Sequence, residues 1–188
     1  MINPGCWRCV SGAISGLPGW AENDSNANKP PDGESMTTIA VLSDTHGLLR
    51  PEITTAIKGV DHIIHAGDLG KIEILDELQR IAPVSIVRGN IDSEGEAATF
   101  PHNTVLEIAG QQLYILHDIA DLNLDCRAAG FAAVIYGHSH QPEIKYKDNV
   151  LYLNPGSIGP RRFDLPLSYA MLRITREALI PELIEISN

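Results

Sequence analysis

The stretch TIAVLSDTHG, residues 38–47, joins a short apolar run to an aspartate and a histidine. An apolar run of this length reads as a strand buried on both faces, the kind that parallel sheets use. Its polar end decides the fold, because in open α/β sheets the loops beyond the carboxyl ends of the strands converge on a ligand. The same pattern recurs outward from it. Pro51 opens a short helix that stops at Gly59, and HIIHAGD (62–68) is a second strand. KIEILDELQRIA (71–82) spaces Ile72, Leu75, Leu78 and Ile81 along one helix face, and VSIVRGN (84–90) is a third strand.

Further along, TVLEIAGQQLYILHD (104–118) reads as two strands joined around Ala109 and Gly110. NLDCRAAG (123–130) is expected to be helical with Gly130 as its stop, and FAAVIYGHSH (131–140) is another apolar strand. IKYKDNVLYLN (144–154) and SYAMLRITREALIPELIEI (168–186) read as hairpins. The sum is an α/β layered fold with a mixed sheet.

A chain of 188 residues suffices for one well-buried domain, assigned to residues 36–188. With 14 basic and 24 acidic side chains the formal net charge is −10, which repels polyanions and argues against an extended nucleic-acid partner. A small phosphorylated substrate is compatible if a bound cation reverses the local field. No run of 18 apolar residues suggests a membrane span. Three cysteines lack the spacing of a disulfide framework, so a reducing cytoplasm is expected.

Residues 1–35 are rich in Gly, Ser, Asn and Pro, without helical or strand periodicity and without the features of a secretory signal. They are expected to be a disordered extension, not necessarily native, with Met36 as the natural start. Cys6 and Cys9 form a C-x-x-C with no further ligands nearby, so that pair reads as incidental.

The polar groups fall at strand ends: Asp44 and His46 after the first, Asp68 after the second, Asn90 and Asp92 after the third, His117 after YIL, and His138 and His140 after AAVIY. Mixed imidazole and carboxylate sets suit divalent first-row ions. Groups of this kind at five strand ends point to two such ions. Only a carboxylate can give one oxygen to each of two cations, and Asp68, central in the order, is the candidate bridge. His65 reads as a hydrogen-bonded core group, His62 and His102 as solvated, and Asn154 and Ser157 as a turn near the site.

The ordered motifs SDTHG, HAGD, RGNID, LHD and YGHSH, spanning about Thr38 to Ser157, resemble the calcineurin-like metallophosphoesterase superfamily, within it the small single-domain phosphodiesterases of bacteria and archaea. The resemblance implies two mixed β-sheets packed as a sandwich flanked by helices, four layers in all. It implies that Asp44, His46 and His140 hold one metal, that Asn90, His117 and His138 hold the other, and that Asp68 bridges them. Manganese is the leading ion, with nickel, iron and zinc as alternatives. A water or hydroxide shared by the metals would attack a phosphodiester, with Asn90, His117 and Asp92 as the catalytic group. Asp92 is expected to support a ligand, such as a histidine. Asn90 and Arg161 are the candidate substrate contacts.

Two departures from the family pattern stand out. Many relatives carry a histidine where this chain has Ile91, and Gly then His where it has Asp118 and Ile119. Isoleucine cannot move a proton, so activated diesters are the expected substrates. The rival reading is a catalytically weak scaffold that binds a protein partner, as the retromer subunit of this fold does. Homo-oligomerisation is compatible with either.

Overall fold

The computed structural model describes residues 36–162 and 164–186. The stretch 1–35, with Cys6 and Cys9, lies outside them.

Two five-stranded sheets form the structure. The first has β1 (Thr37–Leu42), β2 (His62–His65) and β3 (Val84–Ile86) in parallel, with β9 (Ser168–Ile174) antiparallel to β1 and β10 (Leu179–Glu185) on its outer edge. The second has β5 (Gln111–Leu116), β6 (Ala133–Ile135) and β8 (Val150–Asn154) in parallel. Its antiparallel edges are β4 (Asn103–Ile108) and β7 (Glu143–Lys147). Each sheet therefore has a parallel trio whose carboxyl ends carry the chemistry.

Burial explains the apolar runs. Ile39, Val41 and Ile64 of the first sheet meet Leu113, Ile115, Ile135 and Leu153 of the second in one cluster. The alternate residues Ala40, Leu42 and Ile63 face outward and are covered by α1 (Pro51–Ala56) and α2 (Ile72–Gln79), through Ile53, Leu75 and Leu78. Tyr114, Leu116, Val134 and Tyr136 form the outer face of the second sheet, where Cys126 packs against them. Strands covered on both faces have no polar side, which is why their sequence does not alternate.

Three expectations change in detail. Residues 123–130 form one turn rather than a helix, because the Asp125 carboxylate accepts from Ala128 N and Gly130 leaves the turn at φ 82°. The helical cover is accordingly uneven: α1 and α2 lie on the first sheet, and turns cover the second. His62 is half-buried, with a ring nitrogen 2.9 Å from Ser85 Oγ. The hairpin at Ala109 and Gly110 forms as expected, with φ of 50° and 77°. No helix among the described residues is long and apolar enough to cross a membrane.

The layer between the sheets carries the stability. Ile115→Ala, at a fully buried position, should cost about 2–5 kcal/mol. Urea unfolding should show a lower midpoint with an unchanged slope, and a change below about 0.5 kcal/mol would contradict the packing.

Candidate metal centre

The strand ladders continue into the loops. Asp44 N bonds Gly67 O at 3.0 Å, His46 N bonds Asp68 O at 3.0 Å and Gly47 N bonds Leu69 O at 2.9 Å. On the other sheet Gly137 N bonds His117 O at 2.9 Å. His138 N donates to Asp44 Oδ2 at 3.1 Å, tying the two sheets together at the site.

Within these loops the backbone is unusual. Asp44, His46, Asp68, His138 and His140 all have left-handed φ, between 46° and 67°. Left-handed geometry costs a residue with a Cβ about 1–2 kcal/mol. Such strain persists where surrounding structure over-determines it, and it clusters at functional sites. Glycine is required beside it: a Cβ on Gly89 would overlap Asp68 Oδ1, and one on Gly137 would overlap Ser43 Oγ.

The seven strand-end residues come together in two groups sharing Asp68. In the first, His140 Nε2 lies 3.2 Å from Asp44 Oδ1 and 3.2 Å from His46 Nε2, and His46 Nε2 lies 3.5 Å from Asp68 Oδ2. In the second, His117 Nε2 lies 3.4 Å from Asp68 Oδ1 and 3.1 Å from Asn90 Oδ1, which is 3.0 Å from His138 Nδ1. The two Asp68 oxygens thus face opposite ways.

These groups fit a cation. Ser43 Oγ at 2.6 Å and His138 N both donate to Asp44 Oδ2, while Oδ1 is buried without a hydrogen bond. His140 Nε2 is close to Oδ1 yet out of line for a hydrogen bond. His117 Nδ1 donates to Ala66 O at 2.7 Å, so in the neutral ring the Nε2 lone pair faces the oxygens of Asp68 and Asn90. A positive charge between them turns that repulsion into attraction.

The titration directions agree. Burial alone would push the His117 imidazole down, but the hydrogen bond and charge of Asp68 and the bond to Ala66 outweigh it and raise its pKa. Burial alone would push Asp68 up, but His117, Ile91 N and the charge of His46 hold it below the ordinary carboxylate value. Burial, aided by the Arg162 guanidinium, lowers His46.

Several side chains act differently from expectation. Asp92 supports no histidine: its Oδ2 accepts from Leu69 N at 3.1 Å and Gly89 N at 3.0 Å, and its Oδ1 from Gly70 N at 3.0 Å. It clamps the Asp68 loop to the Asn90 loop. Outside the seven donors, the carboxylate nearest a histidine is Asp118, whose Oδ2 lies 3.6 Å from His138 Nε2. Arg161 is exposed, and the guanidinium that reaches the cluster is its neighbour Arg162, with Nη2 3.3 Å from His46 Nδ1. His102 is exposed but not free, because Arg88 Nη2 bonds its Nε2. Asn154 donates to Gly137 O at 2.8 Å, and Ser157 Oγ donates to Asp44 O at 3.0 Å, so the NPGS turn braces both halves. Only the proximity of NPGS to the last motif signalled this.

Residues 37–177 match the sequence model described as the calcineurin-like phosphoesterase superfamily domain. The chain belongs to this superfamily. It is 37% identical over 158 residues to a probable metallophosphoesterase of Methanothermobacter thermautotrophicus, covering 78% of this chain and 91% of that one. A phosphodiesterase of Methanocaldococcus jannaschii is 28% identical over 137 residues, covering 63% of this chain and 82% of that one. The superfamily fold also relates it to vacuolar protein sorting 29 of Cryptosporidium parvum, at 18% identity and a TM-score of 0.66, covering 81% and 99% of the two chains.

His65 gives a pH prediction. Thr45 Oγ1 donates to Leu69 O at 2.9 Å and accepts from His65 Nε2 at 3.0 Å, leaving the buried Nδ1 a bare acceptor. Burial pushes this imidazole from its ordinary 6.5 down to about 4. The unfolded chain therefore binds the extra proton between those values, and stability falls as pH drops from 6.5 towards 4. The effect is on the order of 3 kcal/mol. Unfolding of metal-free protein should show the advantage of wild type over His65→Leu shrinking across that window, and a constant difference would contradict it. Gly89→Ala should weaken Mn²⁺ binding measured by calorimetry far more than Gly95→Ala, whose surroundings are open.

Proposed function

We propose that the protein is a dinuclear metal-dependent phosphodiester hydrolase. Asp44, His46 and His140 would hold one divalent ion and Asn90, His117 and His138 the other, with Asp68 shared between the two sets. The observation that carries this reading is the Asp68 carboxylate, with Oδ2 facing His46 and Oδ1 facing His117. Mn²⁺ is the proposed ion, with Ni²⁺, Fe²⁺ and Zn²⁺ suited to the same donors. When bound, such ions supply Lewis acidity towards phosphate and lower the pKa of coordinated water from about 15.7 towards about 7.

The chain's own groups do the rest. Asn90 turns Oδ1 towards the histidines, which leaves its amide protons for a non-bridging phosphate oxygen. If His46 ligates through Nε2, its Nδ1 would carry the proton and would no longer accept from Arg162 Nη2, 3.3 Å away, so that guanidinium would be released for an incoming anion and would take the role expected of Arg161. Asp118, with Oδ2 3.6 Å from His138 Nε2, places a negative charge behind that ring. Asp92 acts on the backbone and contributes to catalysis only by holding Asp68 and Asn90 in register.

The exposed Ile91 side chain is a hydrocarbon, so it has no proton to give the leaving oxygen. Leaving groups that depart as stable anions are favoured. The buried free thiol of Cys126 suits a reducing cytoplasm. The scaffold reading rests on fold likeness alone, whereas the convergence of seven donor residues supports an enzyme.

With Mn²⁺, bis(p-nitrophenyl) phosphate should be hydrolysed faster than alkyl phosphate monoesters, chelation should abolish turnover, and Asp68→Asn should reduce it to background. Equal rates on alkyl monoesters would remove the role given to Ile91. Unchanged turnover in Asp68→Asn would remove the bridge.

A further inference from the structure

Beside the Asn90, His117 and His138 end of the cluster lies a cavity of about 520 Å³. Small-molecule sites fall between about 300 and 1,000 Å³, so there is room for an organic group as well as a phosphoryl group. Arg88 lines this cavity together with the three donors.

Arg88 is held by neutral partners. Its backbone N–H donates to Pro101 O at 2.8 Å, Nη1 donates to Ala98 O at 3.0 Å, and Nη2 bonds His102 Nε2. Among the described residues no carboxylate comes within 4.0 Å of its guanidinium, as for every described arginine except Arg173, which pairs with Glu182; what sets Arg88 apart is its place in the cavity wall and the two partners that orient its guanidinium. Asp118 and Asp121 line the same cavity. The Asp118 carboxylate accepts from Ala120 N at 2.9 Å and stands 3.6 Å from His138 Nε2. A guanidinium oriented in advance and lacking a counter-ion is a receptor for carboxylate or phosphate, through its fork of donors.

We propose that Arg88, positioned by His102, forms a subsite for a second anionic group of the substrate: a phosphodiester one of whose ester arms ends in a carboxylate or a further phosphate. This rests on the phosphodiesterase reading above. The scissile phosphate lies at the cluster and the arm crosses Tyr114 and Leu116, which also line the cavity.

Three p-nitrophenyl diesters with the same scissile bond test this: the ethyl, 2-carboxyethyl and 2-phosphonoethyl esters, each with the Mn²⁺-loaded protein. Wild type should favour at least one anionic arm over ethyl by about 10- to 100-fold in kcat/KM, chiefly through KM. The better of the two identifies the anion. Arg88→Met should collapse that ratio and Arg88→Lys should restore part of it. Because the readout is a ratio, a general loss of activity does not imitate it. Independently of turnover, methyl 2-phosphonoethyl phosphate should raise the unfolding temperature of wild type more than that of Arg88→Met.

Hydrolysis of the ethyl ester with no preference for either arm in wild type would overturn the subsite and leave the phosphodiesterase reading standing. An equal ratio in wild type and Arg88→Met would do the same. Hydrolysis of none of the three would overturn both.

Discussion

The structure depends on one electrostatic demand: a carboxylate with its two oxygens aimed at separate imidazoles, in a pocket where other lone pairs converge. Asp68 is 2% exposed, and both of its oxygens face histidine nitrogens. Asp44 Oδ1 and the Nε2 atoms of His46 and His140 crowd the same space. Such a constellation is costly on its own, since buried polar atoms need partners. The architecture is explained if positive charge resides there.

Fold and strain follow from that demand. Six parallel strands, three in each sheet, run so that their carboxyl ends meet at one rim. Rigid strands cannot aim side chains sideways, so the residues just beyond them turn left-handed and swing their side chains over the strand ends. Ladder hydrogen bonds that run past the strands, the three-pronged clamp of Asp92 and the hydroxyl of Ser157 on Asp44 offset the strain. The scaffold stores backbone energy where the chemistry is placed.

The sequence was legible where a physical period or a strand end governs the residue. Doubly buried strands announce themselves as apolar runs, and Asp44, Asp68, Asn90, His117, His138 and His140 follow such runs closely. What escaped depends on partners distant in sequence. The clamp of Asp92 involves backbone N–H groups of Leu69 and Gly70, which leave no side-chain signature. Arg162 and Arg161 differ only in which way the chain points after Gly159. The single turn at 123–130 is a local contest that the Asp125 side chain and Gly130 win against helix propensity. Arg88 lies within the RGNID motif, but its orientation by Ala98 O and His102 appears only when those neighbours are in place.

The most direct measurement is anomalous diffraction from a crystal grown with Mn²⁺. Two peaks separated by about 3.5–4 Å are expected, one beside each oxygen of Asp68. A single peak, or two peaks that do not share Asp68, would contradict the bridge.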